Sequence, residues 1–352
     1  MKTATILTPT PSPPQIPPPP SPDLPSLVLF VEYDIESDFC GFYARGAFSP
    51  QYRVRDRFLM DGLYRKLLLR EGEKFRPSLE NKVAHQHERE ISLLTVWMDR
   101  ERNANIFRIV NEEIERLRTA GTKEIRILDI GCAYGNHIFM LNARYGGGRD
   151  IRFAGIDIDP KALEFAKAFS EAIPGYDNCE FSEGDVDAGL VFEDGSFHII
   201  LCSDVLEHSQ DLAAALRETA RTLKPGGKVV FTSPLKNSLF KTASKILSAV
   251  SFGKLEKKYY DGGTKPGIGK TDKPEHGYGH ISEMNLKGYL KAGAEAGLAP
   301  AEIIPASVFS GSMFFDRHPI LLACLVFIEA LHRTFRLVSW AHGVQIVFVK
   351  KD

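Results

Sequence analysis

Short apolar runs alternate with amphipathic stretches along the chain from residue 125 onwards. The runs are rich in Val, Ile and Phe and are bounded by Gly, Pro, Asn or Asp, which is typical of buried strands. The stretches between them have the three- and four-residue spacing of helices. Strands alternating with helices predict an α/β fold with a mostly parallel sheet covered on both faces. The predicted strands are IRILDI (125–130), IRFAGIDI (151–158), CEF (179–181), FHIILCS (197–203), KVVFTSP (228–234), AEIIPASVF (301–309) and GVQIVFVKK (343–351).

The remaining segments have different patterns. Residues 1–25 hold ten of the chain's 21 prolines, and such a segment favours extended conformations and builds no core. Residues 84–119 predict one long amphipathic helix that ends near Gly121. Residues 236–281 interrupt the alternation of strands and helices, and their many lysines and glycines predict either a solvated loop or a lid.

Composition narrows the class of protein. Apolar residues make up 43% of the chain and the net charge is -1, so a globular core is expected and a nucleic-acid substrate is disfavoured. Five cysteines without a CxxC pair indicate reduced thiols rather than disulfides or a zinc site. The chain has no signal-peptide pattern, and its apolar run at 320–328 is too short to span a bilayer. We therefore expect a cytoplasmic protein.

Two polar motifs follow the first two predicted strands. Residues 129–135, Asp-Ile-Gly-Cys-Ala-Tyr-Gly, form a glycine-containing turn that lets the backbone approach a ligand. Ala133 and Asn136 break the GxGxxG dinucleotide fingerprint, which disfavours a nicotinamide dehydrogenase. Asp157 ends the second strand, where a carboxylate can accept hydrogen bonds from ribose hydroxyls; the alternative is a helix cap, a role that Asp159 fits better.

Further motifs follow the third and fourth predicted strands. In Glu-Gly-Asp-Val, the carboxylate of Asp185 can contact an adenine edge, although a plain polar turn is the alternative. Ser-Asp-Val-Leu-Glu-His begins at Ser203 and ends at His208. The segment LKPGG (223–227) predicts a structural turn, because Pro and Gly end a helix.

In order and spacing, LDIGCAYG, GIDIDPKALEFA, EGDVD, DGSFHIILCSDVLEH and LKPGGKVVF resemble the class I S-adenosylmethionine-dependent methyltransferases, most of all the type 11, UbiE-like and small-molecule group. The resemblance implies a doubly wound, Rossmann-like sheet of seven strands with the last one antiparallel. It implies S-adenosylmethionine as cofactor and S-adenosylhomocysteine as product, with no metal. The cofactor-binding residues expected on this basis are Asp129, Gly131, Cys132, Ala133, Gly135, Asp157, Ile158, Asp185, Val186 and Ser203.

Within that resemblance, Asp129 organises the turn and the methionine amino group, Asp157 binds the ribose, and Ile158 and Asp185 lie against the adenine. Two positions depart from the family pattern. Ala133 stands where the middle glycine of the turn is usual, and Phe197-His198 replaces the usual Phe-Asp before the fourth strand. The resemblance covers about residues 120–235 and, by pattern only, 282–351. Together with composition and pattern it predicts five parts: a leader (1–25), a mainly helical N-terminal cap (26–120), the cofactor-binding core (121–235), a lid insertion (236–281) and the C-terminal part of the core (282–352).

A hydroxyl or activated-carbon acceptor needs a positioned base, for which His is the usual residue. The candidates are His208, after the fourth strand, and His276 and His280 at the end of the insertion; a purely structural role is the alternative. Residues 319–338 predict a buried apolar helix, with an acceptor tunnel or a membrane-surface helix as alternatives.

We expect a small apolar or aromatic acceptor, with O-methylation preferred over N or C. A catalytically silent binding protein and a methyltransferase acting on RNA or protein are the rival hypotheses. The sequence leaves the oligomeric state open.

Overall fold

A computed structural model describes residues 93–145, 150–172, 175–239, 282–309 and 318–351, with a few positions between 241 and 250. The predictions for residues 1–92, which include the leader and most of the cap, lie outside the described residues. So does most of the predicted insertion, including His276 and His280.

Seven strands form one sheet in the order β3-β2-β1-β4-β5-β7-β6. Strands β1 to β5 are parallel, and β7 runs antiparallel to both of its neighbours. The chain therefore turns to opposite sides from β1, which confirms the predicted doubly wound sheet. The strands are β1 (Ile125–Ile130), β2 (Ile151–Asp157), β3 (Cys179–Glu183), β4 (Phe197–Ser203), β5 (Leu223–Pro234), β6 (Leu298–Pro305) and β7 (Gly343–Lys350).

Two strands, β5 and β6, differ from the sequence prediction by three or more residues at a boundary. The segment LKPGG, predicted as a turn, belongs to β5, which begins at Leu223. Its pairing with β4 jumps from Leu223 opposite Phe197 to Lys228 opposite Ile199, so the glycine and proline residues lie in an irregularity of the strand. Strand β6 begins at Leu298, three residues before its predicted start, and it ends at Pro305, four residues before its predicted end. Its pairing with β7 also shifts, between Pro300 and Glu302.

Helices cover both faces of the sheet, because each has one apolar face that must be buried. Helices α4 and α5 begin at side-chain caps, where Asp211 accepts from the Ala214 amide and Asn285 accepts from the Gly288 amide. The helices are α1 (Leu93–Thr119), α2 (Asn136–Arg144), α3 (Pro160–Ala172), α4 (Leu212–Thr222), α5 (Leu286–Glu295) and α6 (Pro319–Thr334).

A buried carboxylate fixes α1 to the sheet. Glu113 has no exposed surface and pairs with Lys228 of β5 at 2.7 Å and with Arg116 at 2.6 Å. Burial opposes ionisation of Glu113, but its hydrogen bonds and its two cationic neighbours outweigh burial and lower the pKa of its carboxyl below the usual 4.5. The charged form is therefore the one that stabilises the fold.

Replacing Glu113 by Gln should cost about 3 kcal/mol of the free energy of unfolding at neutral pH, because two cations lose a buried partner. A depressed folded-state pKa adds stability above the unfolded value of 4.5 and loses it as the pH falls further. The wild type should therefore lose stability below pH 4.5, and Glu113→Gln should lose less. Urea unfolding across pH measures both effects. Glu112→Gln, an exposed neighbour, is the matched control, and an equal loss there would contradict the assignment.

The orientation of α6 corrects the prediction of a buried helix. Its inner face is buried at Leu325, Glu329 and His332. Its outer face is open to solvent, with Ile320 82% and Phe327 63% exposed. Across the described residues, no helix is long and apolar enough to cross a membrane.

Candidate functional site

The polar motifs meet where β1, β2 and β4 end. The sheet order places β1 between β2 and β4, so their carboxyl ends form the crevice in which doubly wound sheets bind ligands. The turn after β1 follows this edge. The amides of Gly131 and Cys132 both donate to the Ile156 carbonyl of β2, at 2.8 and 3.0 Å. These bonds hold the turn against the neighbouring strand.

The two predicted glycines of this turn are required by conformation and by packing. Gly131 and Gly135 have φ of 71° and 78°, a region that L-residues with side chains rarely adopt. A Cβ on Gly131 would lie 2.2 Å from Cγ2 of Val205, and a Cβ on Gly135 would lie 2.9 Å from Phe139 and Phe181. No side chain fits at either position unless its neighbours move.

Ala133 tolerates the position where the family usually has glycine. Its φ is 46°, so it adopts the left-handed conformation despite its methyl group. Its amide donates to Oδ2 of Asp157 at 2.7 Å. The strained residue therefore holds the glycine turn of β1 against the acidic end of β2.

Asp157 is oriented by the backbone on both sides. Oδ2 accepts from Ala133 N, and Oδ1 accepts from Asp159 N at 2.9 Å. Each carboxylate oxygen can accept a further bond, so the carboxylate is fixed and still able to bind a diol. Beside it, Ile158 is 39% exposed and offers an apolar surface. Asp159 accepts from Lys161 N at 2.9 Å at the start of α3, which is the capping role that the sequence predicted for it.

Asp129 has a buried carboxylate oxygen, Oδ2, that accepts no hydrogen bond from the described residues. The residue as a whole is 1% exposed. The nearest cation-forming group is Nδ1 of His137 on α2, at 3.4 Å. Nε2 of the same ring lies 3.3 Å from Oδ1 of Asn103 on α1. A buried carboxylate oxygen in this position suits a ligand ammonium group.

The remaining predicted binding residues lie on the same edge. Asp185 is exposed after β3 and accepts from Asp187 N at 2.9 Å, and Val186 packs against the core beneath it. Ser203 ends β4 with its hydroxyl 3.1 Å from that of Thr232. Cys132 is buried, and burial raises the pKa of its thiol, so it packs as an apolar group rather than reacting.

The sequence did not identify a contact between α1 and the end of β4. Arg102 of α1 forms an ion pair with Asp204, which has a left-handed φ of 54°. The amide of Asp204 donates to the carbonyl and the hydroxyl of Thr232, and the Thr232 hydroxyl donates back to its carboxylate at 2.9 Å. Helix periodicity places Arg102 on α1, but only the tertiary packing shows which strand end it meets.

His208 lies on the same edge of the sheet. It closes the one-turn helix Leu206–His208 that follows β4, and it is half-buried. Its neighbour Glu207 is 1% exposed, and burial together with the Asp204 carboxylate raises the pKa of Glu207 to about 8. The Ser233 hydroxyl lies 3.4 Å from this carboxyl.

The described residues contain no group of three or more His, Cys, Asp or Glu arranged to hold a metal ion. The polar groups that the described residues place at the crevice are carboxylates, backbone amides and His208. His198 stands where the family usually has an acid. It is the second residue of β4, so it lies at the end of that strand opposite the crevice. Its Nδ1 accepts from Arg126 N at 3.0 Å, so it has a structural role.

Residues 121–263 match the family model described as a methyltransferase domain. This segment is a class I S-adenosylmethionine-dependent methyltransferase domain. The match includes the glycine turn, Asp129, Asp157 and His208, so it covers these parts of the crevice. The sheet to which this segment contributes has the seven strands and the antiparallel last strand, β7, that the resemblance implied.

Several methyltransferases are similar to this chain. A demethylmenaquinone methyltransferase from Chlorobaculum tepidum is 29% identical over 173 residues, which are 48% of this chain and 65% of that protein. A ubiquinone biosynthesis O-methyltransferase from Albidiferax ferrireducens is 34% identical over 110 residues, 31% of this chain and 40% of that protein. A norajmaline N-methyltransferase from Rauvolfia serpentina is 29% identical over 124 residues, 35% of this chain and 41% of that protein. The chain thus matches only part of the length of each relative.

Proposed function

We propose that the protein transfers a methyl group from S-adenosylmethionine to a small apolar or aromatic acceptor, with oxygen as the preferred atom. The observation that carries the proposal is the fixed carboxylate of Asp157 beside the glycine turn, within a methyltransferase domain. Such a carboxylate, with two backbone donors and spare acceptor capacity, is suited to a ribose diol.

The residues fit the cofactor at each of its polar parts. The buried Oδ2 of Asp129 would accept from the methionine ammonium group, and the glycine turn would lie along the methionine. Ile158 and Val186 would pack against the adenine, with Asp185 at its edge. When bound, the cofactor supplies an electrophilic methyl group and its own leaving group.

The chain's own contribution to the transfer is to position the acceptor and to accept its proton. An in-line displacement needs the acceptor atom close to the methyl group and aligned with the sulfur, and orientation of this kind provides several kcal/mol. His208 is the described base candidate on this edge. The buried Glu207 and the Arg102–Asp204 pair hold the segment around it in place.

The proposed acceptor class is supported by the names of the relatives. They are named for norajmaline, demethylmenaquinone and ubiquinone biosynthesis, so small-molecule acceptors recur among them. We infer a phenolic or catecholic acceptor for this chain.

The test of the acceptor class is transfer of labelled methyl from S-adenosylmethionine to a catechol, a naphthoquinol and an aromatic amine, with mass spectrometry to locate the label. Label on the catechol oxygen supports the proposal, and label only on carbon or nitrogen overturns the preference for oxygen.

His208→Gln should lower kcat about 100-fold with little change in cofactor affinity, because a general base contributes at least that much to proton transfer. The matched control is His198→Gln, at the other end of β4 and away from the crevice, which should leave kcat within about twofold of the wild type. An unchanged kcat in His208→Gln across the pH range would show that His208 is structural. Binding of S-adenosylhomocysteine, measured by calorimetry, verifies that the variant still forms the cofactor site.

A further inference from the structure

Several large apolar side chains of α6 face solvent, and exposed apolar side chains continue past its end. The exposed fractions are 82% for Ile320, 63% for Phe327, 42% for Leu331, 67% for Phe335 and 41% for Trp340. Ile320, Phe327 and Leu331 are separated by seven and four residues, so they lie on one side of the helix. We call these five residues the apolar stripe.

Two polar residues of α6 face the protein. Glu329 and His332 are both fully buried. Oε1 of Glu329 accepts from the amides of Val308 and Phe309 at 2.8 and 2.9 Å. Nε2 of His332 donates to the Ala306 carbonyl at 2.9 Å. These bonds to the chain after β6 hold the helix in the one orientation that leaves the apolar stripe outside.

The described side chains of residues 318–340 include no exposed acid. The exposed basic side chains among them are those of His318 and Arg336, and the carboxylate of Glu329 is buried. An apolar helical face bordered by basic groups and free of exposed acids is complementary to an anionic lipid surface, where acyl chains take the apolar side chains. Trp340, at the edge of the stripe, is a residue type that prefers the lipid–water boundary.

The dimensions of the stripe argue against a second copy of the chain. The 16-residue helix is about 24 Å long and about 10 Å across, including its side chains. One face of such a helix is far smaller than the about 800 Å² that each partner buries in a stable protein interface. A bilayer needs no matching shape, so a single apolar stripe is sufficient.

The helix also projects from the edge of the sheet where the candidate site lies. Pro305 at the end of β6 pairs with Val344, and Gly343 at the start of β7 pairs with Pro234 at the end of β5. Strand β5 is parallel to β4, whose end carries Ser203 and Asp204. The segment that contains α6 thus leaves the sheet and returns to it at the crevice edge.

We propose that the apolar stripe of α6 docks the protein on an anionic phospholipid surface, with the crevice edge turned towards the lipid. This docking is independent of methyl transfer, so it can be tested separately.

The full chain should sediment with vesicles of phosphatidylcholine and phosphatidylglycerol in equal parts, and less with phosphatidylcholine alone. Phe327→Asp and Ile320→Asp should each weaken vesicle binding at least about tenfold.

Val191→Asp is the matched control for these variants. Val191 is as exposed as Ile320, at 82%, but it lies at the opposite edge of the sheet. There Arg221, just before β5, donates to the carbonyls on both sides of Val191, those of Leu190 and Phe192. The variant should bind vesicles like the wild type. Binding of S-adenosylhomocysteine by all variants verifies that they are folded and reads the cofactor site separately.

A second measurement uses Cys324, which is exposed on α6, whereas Cys132, Cys179 and Cys202 are buried. In a Cys40→Ser background, alkylation of Cys324 should slow at least about fivefold when anionic vesicles are added. Three results would overturn the proposal: no vesicle binding by the wild type, vesicle binding that Phe327→Asp leaves unchanged, or a dimer in solution that Phe327→Asp dissociates.

Discussion

Replacing Asp157 by Ala should weaken the binding of S-adenosylhomocysteine about 100-fold. The carboxylate is already positioned by Ala133 N and Asp159 N, so a ribose diol would meet a preorganised acceptor pair. Hydrogen bonds to a charged acceptor contribute about 1.5–3 kcal/mol each, and about 2.7 kcal/mol corresponds to 100-fold in Kd. Calorimetric titration of the product into wild type and variant measures this difference.

Two companion variants separate the charge of Asp157 from its structural role. Asp157→Asn keeps an oxygen that can accept from Ala133 N, so it should preserve the turn and still lose most of the affinity. Asp159→Asn removes a neighbouring charge whose contact is the α3 cap, and it should change Kd by less than about threefold. Equal losses in Asp157→Asn and Asp159→Asn, or wild-type affinity in Asp157→Ala, would show that the ribose does not bind here.

The sequence was sufficient to predict the positions of most strands, because each strand is specified by its own local pattern. Strands β1 and β4 have their predicted bounds, and β2 and β3 differ only at their ends. The runs of β1, β2 and β4 are buried on both faces over most of their length, so they read as nearly continuous apolar segments. The site motifs were read from the residues that follow these strands, whereas their roles, the number of strands and the antiparallel β7 came from the family resemblance. The LKPGG segment was mistaken for a turn because a strand irregularity and a turn use the same residues.

The parts that escaped prediction depend on contacts distant in sequence. Arg102 meets Asp204 across 102 positions, and no periodicity within α1 shows which strand end it reaches. The outward face of α6 is a second case. Its composition favoured burial, but two polar side chains, Glu329 and His332, bond to the backbone after β6 and fix the opposite orientation. Local pattern predicted the helix, and hydrogen bonds to another segment set which side faces solvent.

Replacing Gly131 by Ala should be the most damaging single-methyl change at the site. The added Cβ would lie 2.2 Å from Cγ2 of Val205, and the backbone has φ of 71°. The left-handed conformation costs a residue with a side chain about 1–2 kcal/mol, and overpacking costs about 1–3 kcal/mol more. We expect a loss of about 2–5 kcal/mol in the free energy of unfolding and no measurable binding of S-adenosylhomocysteine, because the turn must move away from Val205.

The backbone cost of Gly131→Ala and the cost of its overlap with Val205 can be measured separately in this chain. Gly121 has a similar φ of 80° but no atom within 4 Å of an added Cβ, so Gly121→Ala measures the backbone cost alone. The double variant Gly131→Ala with Val205→Ala removes the overlap and keeps the strained φ. Compared with Val205→Ala alone, it should lose no more than Gly121→Ala does, and it should recover part of the cofactor affinity. If instead the double variant is as impaired as the sum of its single changes, the turn and the residue after β4 are not in contact, and the close packing that shapes the crevice is disproved.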